Sequence, residues 1–350
     1  MTLLFITRKV DKNDPRAGFV YYWLKKFAKK LDKLIVICQE KEKSQELPEN
    51  VEIYSFGKEM RYGRLRQFLV FGFLLWKNVR RVDGVFSHMM PIYSIFAGPF
   101  CKIFKKKLVQ WYTHKTVDWR LRLADIFIDE FVTASKMSLR LQTKKMVNVF
   151  GHGIEVDRFV PISRKISNSK FKILTVGRIA PTKDIESMIK AVYELKEEGI
   201  TDAKLTIVGD IGLASHQAHL GNLKNMVRNM NLDKQVVFTG PVPYTQVSQF
   251  YQRANLFINL SDTGSLDKAV LQAMACECLV LTSNEAFEKI LSAEFIVKKD
   301  EPNELSEKIK WSMNLAAEEK ERIGKELRRE VVENHNLDKL ADRIIDVYEL

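Results

Sequence analysis

Short apolar runs alternate with longer amphipathic segments along both halves of the chain. In the first half they lie at residues 3–7, 34–38, 51–55, 85–87, 108–112, 131–134 and 147–150. In the second half they lie at 172–176, 204–208, 236–239, 256–259 and 279–282, with 295–297 as a weak sixth. Runs with so little internal alternation are typical of strands buried on both faces, as in parallel sheets covered by helices. The pattern predicts an α/β protein with two doubly wound, Rossmann-like domains.

A mostly polar segment at 161–170, which opens with Pro161, separates the two series of strands. We therefore predict an N-terminal domain at 1–165 and a C-terminal domain at 166–335. From residue 303 the pattern is helical, and we expect the last helix, within 336–350, to pack back on the first domain. Because ligands bind at the carboxyl ends of parallel strands, two such domains are expected to face each other across a ligand-binding cleft.

The charge is distributed unevenly along the chain. The 350 residues carry a net charge of +12, with +16 in residues 1–165 and −4 in residues 166–350. A basic domain attracts anionic membrane headgroups, phosphorylated substrates or nucleic acid. No nucleic-acid reader motif accompanies the charge, and the aromatic residues follow core periodicity. Nucleic acid is therefore not an expected partner, whereas an anionic membrane surface is a candidate one.

The longest apolar stretch, residues 68–76, is flanked by arginines and lysines on both sides. It is far shorter than the ~20 residues that span a bilayer. Two interpretations remain: a packed helix, or a helix inserted into a membrane surface. Residues 1–8 lack a basic leader and are interpreted as a first strand. These features favour a cytoplasmic location, with the inner face of the cytoplasmic membrane as a further site of action.

The four cysteines do not have the spacing of a metal site, since Cys276 and Cys278 are separated by only one residue. We interpret Cys38, Cys101 and this pair as reduced and buried. The sequence therefore predicts no metal site.

Glycines and cations gather at the carboxyl ends of the second series of strands. Arg178 and Lys183 follow its first strand and are separated by four residues. A guanidinium and an ammonium on one loop suit a diphosphate, although such a pair is also typical of a solvated surface. The turn at 263–268 supplies backbone N–H donors at a predicted helix start, and Gly264 permits close approach to an anion.

The ordered set of motifs resembles the family 4 glycosyltransferases of the GT-B fold over nearly the whole chain. The resemblance is carried by Gly177, Arg178 and Lys183, by 205–209, 236–240 and 251–255, by Leu-Gln-Ala-Met-Ala-Cys at 271–276, and by 111–115 and 151–154 with Phe159. It implies transfer of a sugar from a nucleotide-sugar, with retention at the anomeric carbon. It also implies that no metal ion is required. No cofactor is expected, because the UDP- or GDP-linked sugar donor is a co-substrate.

The resemblance also implies roles for individual residues. Arg178 and Lys183 would hold the diphosphate and stabilise the leaving group, and His114 would reach the donor sugar. Gly18 would bring backbone donors to the phosphates. The remaining donor-binding positions would be Gly177, Gly209, Gly240, Gly264, Ser265, Leu266, Asp267, Lys268 and Gln272. For Lys268, an orientation toward solvent is an equal alternative.

Two departures from the family pattern affect three positions. The family's paired glutamates, eight positions apart, fall at Gly264 and Gln272. An amide lacks the charge that strengthens a ribose contact, so binding could weaken by about 1–2 kcal/mol. A family glycine is replaced by Glu277, which questions the tight turn at that point.

The leading hypothesis is an enzyme of cell-envelope polysaccharide biosynthesis that glycosylates a lipid-linked or polysaccharide acceptor. The departures at Gln272 and Glu277 motivate an alternative, a catalytically weak scaffold or nucleotide-binding protein in a glycan-assembly complex. A sugar-nucleotide epimerase would need carboxylates placed for elimination chemistry, and the sequence contains no clear pair.

Overall fold

The apolar runs at 3–149 form parallel strands in the computed structural model, which describes residues 1–42, 46–162 and 170–349. Inter-residue contacts divide the chain into two units. Unit 1 comprises Met1–Gly153 with His335–Leu350, and unit 2 comprises Ile154–Asn334. The boundary expected at 165/166 lies outside the described residues. These two parallel-sheet units confirm the expected α/β fold class.

Unit 1 consists of strands and helices in regular alternation. Its elements are β1 (Thr2–Val10), α1 (Gly18–Ala28), β2 (Lys33–Lys41), β3 (Val51–Ser55), α2 (Arg64–Val79), β4 (Gly84–His88), α3 (Pro91–Ile103), β5 (Lys107–Trp111), α4 (Trp119–Asp125), β6 (Glu130–Thr133), β7 (Met146–Val149) and, from the end of the chain, α11 (Leu337–Glu349). Over the described ranges these strands form one seven-stranded sheet in the order β3-β2-β1-β4-β5-β6-β7. The strand order reverses between β1 and β4, which is where doubly wound sheets open a crevice.

The core of unit 1 lies on both faces of this sheet. Alternate residues of β1 point to opposite faces, so that Leu4 and Ile6 pack with α2, α3 and α4. On the opposite face, Phe5 contacts the rings of Phe27 and Phe86 at centroid distances of 5.6 and 5.1 Å. Burial on both faces explains why β1 has no hydrophobic alternation in the sequence.

Helix α11 belongs to unit 1 and packs on α1. Asp338 on α11 accepts a hydrogen bond of 2.7 Å from Lys26 on α1. Near the end of the helix, the hydroxyl of Tyr348 donates to the carbonyl of Val85 at 2.8 Å. A Cβ on Gly84 would lie 2.2 Å from the Tyr348 ring, so this position admits only glycine while the ring stays there.

Unit 2 repeats the alternation with five strands among its described residues. Its elements are β8 (Phe171–Val176), α5 (Ile185–Glu197), β9 (Ala203–Val208), α6 (Gln217–Asn229), β10 (Val236–Gly240), α7 (Ser248–Arg253), β11 (Leu256–Asn259), α8 (Lys268–Ala275), β12 (Leu279–Thr282), α9 (Pro302–Asn314) and α10 (Ala317–Asn334). The sheet is parallel in the order β10-β9-β8-β11-β12, and its order reverses between β8 and β11. The loops after β8 and β11 are therefore expected to border the ligand crevice.

The weak sixth strand at 295–297 is wrong. A short 3-10 helix, Ala293–Phe295, occupies its start, and Ile296 makes only a single bridge to Thr282. The apolar residues at this point are buried as part of the core rather than as a strand. Three residues of buried apolar character do not distinguish a strand from a turn.

Helix α2 is buried on one side and exposes apolar residues on the other, and its insertion into a membrane surface stays a prediction. Phe71, Leu75 and Val79 are buried against unit 1. The opposite side exposes Leu65, Phe68, Leu69, Phe73 and Trp76. We refer to these five exposed residues as the α2 apolar face. None of the helices in the described part of the chain is long and apolar enough to cross a bilayer.

Candidate active site

The carboxyl edge of the sheet of unit 2 brings three of the predicted glycines together. The N–H of Gly177 donates to Val208 at 3.0 Å, and the N–H of Gly209 donates to Gly240 at 3.0 Å. Gly209 has a φ of +142°, and a Cβ there would lie 1.8 Å from the carbonyl oxygen of Gly177. The loops after β8 and β9 are thus in backbone contact, which only glycine at position 209 permits.

Arg178 and Lys183 lie on the loop after β8, with different surroundings. Arg178 is exposed, and it lines a small cavity at this edge together with Gly177, Lys183 and Asn259. Lys183 ends a short 3-10 turn, Pro181–Lys183, and its side chain is only 15% exposed. On this loop, Arg178 is therefore at the surface, whereas the side chain of Lys183 is largely buried.

Lys183 connects the loop after β8 to the loop after β11. Its Nζ donates to Ser261 Oγ at 3.0 Å and to Asp267 Oδ2 at 3.1 Å. Asp267 is the N-cap residue of α8, but its side chain makes no capping hydrogen bond. Because the carboxylate is turned toward Lys183, the two predicted site residues form an ion pair across the crevice edge.

The loop after β11 is held in shape by Asn284. Its Nδ2 donates to the carbonyl of Ser265 at 2.8 Å and to Thr263 Oγ1 at 3.3 Å. Gly264 has a φ of +59°, a left-handed conformation that glycine adopts without strain. Ser265 and Leu266 are buried, so the part of this loop available to a ligand is chiefly its backbone and Asp267.

Gln272 lies inside unit 2 rather than on its surface. Its Oε1 accepts a hydrogen bond of 3.1 Å from the hydroxyl of Tyr251, and its Nε2 donates to the hydroxyl of Tyr244 at 3.1 Å. The residue is 5% exposed. The amide of Gln272 thus accepts a hydrogen bond from one buried tyrosine and donates one to the other. A carboxylate at this position could accept but not donate.

The same buried network ends at Glu155. Its two carboxylate oxygens accept from the Tyr244 hydroxyl at 3.1 and 2.9 Å. Burial raises the pKa of the Glu155 carboxyl, and the positive charge of Lys268 opposes that rise. Burial likewise lowers the pKa of the Lys268 ammonium, and Glu155 opposes that change. The Nζ of Lys268 is buried, so the structure does not show the alternative in which this side chain faces solvent, and its role in donor binding stays a prediction.

Glu277 forms the tight turn at the end of α8 that the sequence put in question. Its φ is +57°, and the N–H of Cys278 donates to the carbonyl of Ala273 at 3.0 Å, which closes the end of α8. A non-glycine residue in this conformation costs about 1–2 kcal/mol. The departure therefore strains the turn without abolishing it.

The remaining two predicted residues belong to unit 1. His114 follows β5 and is exposed, and its Nδ1 accepts from the N–H of Thr116 at 3.1 Å. That bond places the proton of the neutral ring on Nε2, which is then a donor. Gly18 is the first residue of α1, and its N–H donates to Asp14 at 2.9 Å.

The structure thus joins Gly177, Arg178, Lys183, Gly209, Gly240 and the 264–267 loop at one edge of unit 2. Lys268 and Gln272 lie instead in the interior network. Sequence reasoning missed Glu155, Tyr244 and Asn284 as functional candidates. For Glu155 a signal existed, because an acidic residue between Ile154 and Val156 interrupts an apolar stretch. Tyr244 and Asn284 have no comparable signal, since their partners are distant in sequence.

Comparisons with known proteins show the family and the fold of the chain. The family model described as "Glycosyl transferases group 1" matches residues 156–330. An uncharacterized glycosyltransferase, MJ1069, of Methanocaldococcus jannaschii is 26% identical over 217 residues, which are 58% of this chain and 53% of that protein. The alpha-monoglucosyldiacylglycerol synthase of Streptococcus pneumoniae is 27% identical over 111 residues, which are 31% of this chain and 23% of the synthase.

Two further proteins extend the comparison. The capsular polysaccharide biosynthesis glycosyltransferase CapH of Staphylococcus aureus is 23% identical over 159 residues, 45% of this chain and 42% of that protein. The chain therefore spans about half or less of the length of these curated relatives. The crystal structure of Anabaena Alr3699/HepE in complex with UDP superposes with a TM-score of 0.80 and 15% identity over 100% of both chains. At this identity the superposition shows a shared fold.

Proposed function

We propose, on the premise that this chain belongs to the Glycosyl transferases group 1 family, that it moves a sugar from a nucleotide-sugar to a glycan or lipid-linked acceptor. The observation that carries the proposal is the edge of unit 2 where Arg178 and Lys183 border one small cavity and Lys183 pairs with Asp267. We propose a UDP- or GDP-linked donor and retention of the anomeric configuration. The occurrence of UDP on Alr3699/HepE supports the nucleotide part.

The chemistry assigned to this edge is stabilisation of the leaving group. When the bond between the sugar C1 and the diphosphate oxygen breaks, negative charge grows on the diphosphate. A guanidinium and a partly desolvated ammonium, both already in place, stabilise that charge more in the transition state than in the ground state. The protein's own cations would therefore supply the compensation, and we propose that no metal ion is required.

Binding of a diphosphate would change the partners of Lys183. Its ammonium has three donors, and Ser261 and Asp267 use two of them. The phosphate can take the third donor or displace the carboxylate. In the second case Asp267 is released beside the backbone of the 264–266 loop, where we propose that the hydroxyl groups of the sugar are held. In unit 1, we assign to His114 a hydrogen bond from Nε2–H to the donor sugar and to Gly18 a position beside the phosphates.

Thermal unfolding with UDP, GDP, ADP, CMP and their common sugar conjugates tests the proposal. A ligand at a hundred times its dissociation constant adds about 2.7 kcal/mol to the free energy of unfolding. We expect a selective rise in Tm with UDP or GDP and their conjugates, followed by measurable sugar transfer. A cooperatively unfolding protein whose Tm responds to none of these compounds would contradict a nucleotide-sugar site.

A second candidate function is a catalytically weak scaffold in a glycan-assembly complex. It is favoured by one observation, namely that Gln272, where the resemblance implies a carboxylate, is hydrogen-bonded inside unit 2. A scaffold of this kind would bind nucleotide without turning it over. Detection of a glycosylated product with any purified nucleotide-sugar and an excess of acceptor would exclude it.

Replacing Gln272 by glutamate is expected to destabilise the protein instead of restoring a stronger ribose contact. The hydroxyl proton of Tyr244 is already donated to Glu155, so Tyr244 can only accept from residue 272. A carboxylate at position 272 would face the hydroxyl oxygen of Tyr244, which could not donate to it, and would lie near the buried carboxylate of Glu155. One unsatisfied buried polar group lowers the free energy of unfolding by about 1–3 kcal/mol. We expect Gln272→Glu to lower the free energy of unfolding by about 2 kcal/mol at neutral pH, measured by urea titration.

The matched control is Gln249→Glu on α7, an exposed position with the same chemical change. It should leave the unfolding midpoint nearly unchanged. If Gln272→Glu unfolds at the wild-type urea concentration and binds the nucleotide more tightly, then Gln272 faces the ribose and the network described here is not its main role.

We also propose that the protein acts in the cytoplasm at the surface of an anionic membrane. Support comes from the basic N-terminal half and from the α2 apolar face, which is flanked by Arg61, Arg66, Lys77, Arg80 and Arg81. Each cation near an anionic surface contributes about 1 kcal/mol. A role in cell-envelope polysaccharide biosynthesis fits this location, and the similarity to CapH supports it.

Sedimentation with vesicles is the measurement for this location. We expect the protein to sediment with vesicles rich in phosphatidylglycerol at low salt, to be released at high salt, and to ignore phosphatidylcholine vesicles. Trp76→Ser should weaken sedimentation, whereas Leu213→Ser, at an exposed position of unit 2, should not. Equal sedimentation of both variants would show that the α2 apolar face is not the contact.

A further inference from the structure

A pocket of about 990 Å³ lies within unit 1, between α2, α3 and the segment that joins β5 to α4. Its lining is rich in aromatic side chains, and the seven Phe, Tyr and Trp rings belong to Phe56, Phe68, Phe71, Tyr93, Phe96, Tyr112 and Trp119. Phe71 packs against Phe56 and Tyr93 at centroid distances of 4.9 and 5.7 Å. The volume is at the upper end of the range of ligand pockets, about 300–1,000 Å³. We refer to it as the aromatic pocket.

Two exposed arginines, Arg64 at the start of α2 and Arg120 in α4, also line the aromatic pocket. One acidic side chain, Asp118, lines it as well. Its Oδ1 caps α4 by accepting from the N–H of Leu121 at 3.0 Å, and its Oδ2 is 3.9 Å from Arg120. Asp118 thus offsets only part of the positive charge, and the pocket combines an apolar interior with a cationic rim.

The aromatic pocket is continuous with the α2 apolar face. Phe68 belongs to both, since it lines the pocket and is 49% exposed. Leu65 and Leu69, its neighbours on that face, are 73% and 60% exposed. Exposed apolar patches of this kind mark ligand or membrane contacts. The aromatic pocket therefore opens beside the α2 apolar face at Phe68.

His114 lines the same pocket. It is exposed, and its Nδ1 accepts a hydrogen bond of 3.1 Å from the N–H of Thr116. A headgroup held by Arg64 or Arg120 would therefore lie in the same pocket as the side chain to which we assign a contact with the donor sugar. This juxtaposition within unit 1 connects the aromatic pocket to the transfer reaction.

We propose that the aromatic pocket binds the acceptor, and that the acceptor is an amphiphile in which a phosphate lies next to a hydrocarbon chain. The chain would occupy the aromatic interior, and the phosphate would contact Arg64 and Arg120. This inference rests on the proposed function, because it names the acceptor class of that reaction. A polysaccharide without a lipid would leave the aromatic interior unfilled, and a free phosphate would make no use of it.

Equilibrium dialysis of the full chain with farnesyl phosphate below its micellar concentration tests the proposal. We expect saturable binding that does not need a nucleotide. Phe96→Ser and Arg120→Gln should each weaken it by about tenfold or more, because one removes buried apolar contact and the other removes a cation next to the phosphate. The matched control is Arg122→Gln, an exposed arginine of α4 outside the pocket, which should change the affinity less than about twofold.

Three results would overturn the proposal. The first is absence of binding by a protein with a native circular dichroism spectrum. The second is equal weakening by Arg122→Gln and Arg120→Gln, which would indicate general attraction of an anion. The third is a failure of either half of the ligand to contribute. Full competition by inorganic phosphate would show that the hydrocarbon chain is not recognised, and equal affinity for farnesol would show that the phosphate is not recognised. If Phe96→Ser fails to fold, Trp119→Ser at an exposed wall position replaces it.

The nucleotide measurements separate this inference from the proposed function. A protein that is stabilised by UDP or GDP and transfers sugar, yet does not bind farnesyl phosphate, would overturn the aromatic pocket as the acceptor site. A protein that binds farnesyl phosphate with the expected variant pattern but responds to no nucleotide would uphold the pocket as an amphiphile site and contradict the transferase proposal.

Discussion

Lys183→Ala is expected to lower kcat/KM for sugar transfer by about 10²–10³-fold. Lys183 is the least exposed cation at the crevice edge, and its ammonium is oriented by Ser261 and Asp267. A cation fixed in this way loses little entropy when it meets a diphosphate, and partial desolvation strengthens its attraction for the developing charge. Its loss should fall mainly on kcat, because the charge on the leaving group is greatest in the transition state.

Two comparisons make this result specific. Lys190→Ala removes an exposed lysine of α5 in the same unit and should leave kcat/KM within about twofold of wild type. Lys183→Arg keeps the charge but changes its reach, so it should recover only part of the activity. An alanine variant with unchanged kcat and a modest rise in KM would mean that Lys183 contributes uniform binding and that another group stabilises the leaving group.

The sheets of both units could be predicted because their strands are short, apolar and bounded by polar turns. Burial on both faces gives β1 and β11 an apolar run without polar interruption, at Leu3–Ile6 and Leu256–Ile258. The one strand that failed, at 295–297, shows the limit of this signal. Three buried apolar residues are equally compatible with the turn that follows β12.

The glycines and cations of the crevice edge could also be located from sequence, since each lies at the carboxyl end of a strand or in the loop that follows it. The order of strands then brings the loops after β8 and β11 together, as a doubly wound sheet requires. The side-chain partners could not be predicted. That Lys183 reaches Asp267 depends on the tilt of one loop, and a pairing across 84 positions leaves no mark on either local sequence.

The aromatic pocket was not predictable for a similar reason. Phe71 and Phe96 have the spacing of ordinary core residues on α2 and α3, and in part they are core residues. Whether aromatic side chains close a core or line an opening depends on how far the helices stand apart. Only the exposed members of α2, such as Phe68 and Trp76, departed from what a packed helix requires, and that departure supported the membrane-surface interpretation.

Lys268→Met is expected to destabilise the protein by about 1–2 kcal/mol above the raised pKa of Glu155, because it removes the positive charge that opposes the rise in the pKa of this buried carboxyl. The pKa of Glu155, already raised by burial, should rise further in the variant. A carboxyl whose folded pKa lies above its unfolded value binds more protons in the folded state, so stability falls as pH increases from about 4.3 through the folded pKa. The deficit of Lys268→Met should therefore be small near pH 4 and largest above the raised pKa of Glu155.

The double variant Glu155→Gln with Lys268→Met provides the decisive comparison. It removes both charges and keeps a group that can bond to Tyr244, so it should recover most of the lost stability and abolish the pH dependence. Denaturant unfolding of the four proteins at several pH values gives the coupling free energy. If the two single substitutions destabilise the protein additively, Glu155 and Lys268 do not form a pair. Helix α8 would then be held in the buried network by the hydrogen bonds of Gln272 with Tyr244 and Tyr251. A coupling of about 1–2 kcal/mol would instead show that a buried ion pair fixes the start of α8, next to Asp267, and so helps to position the residue that orients Lys183.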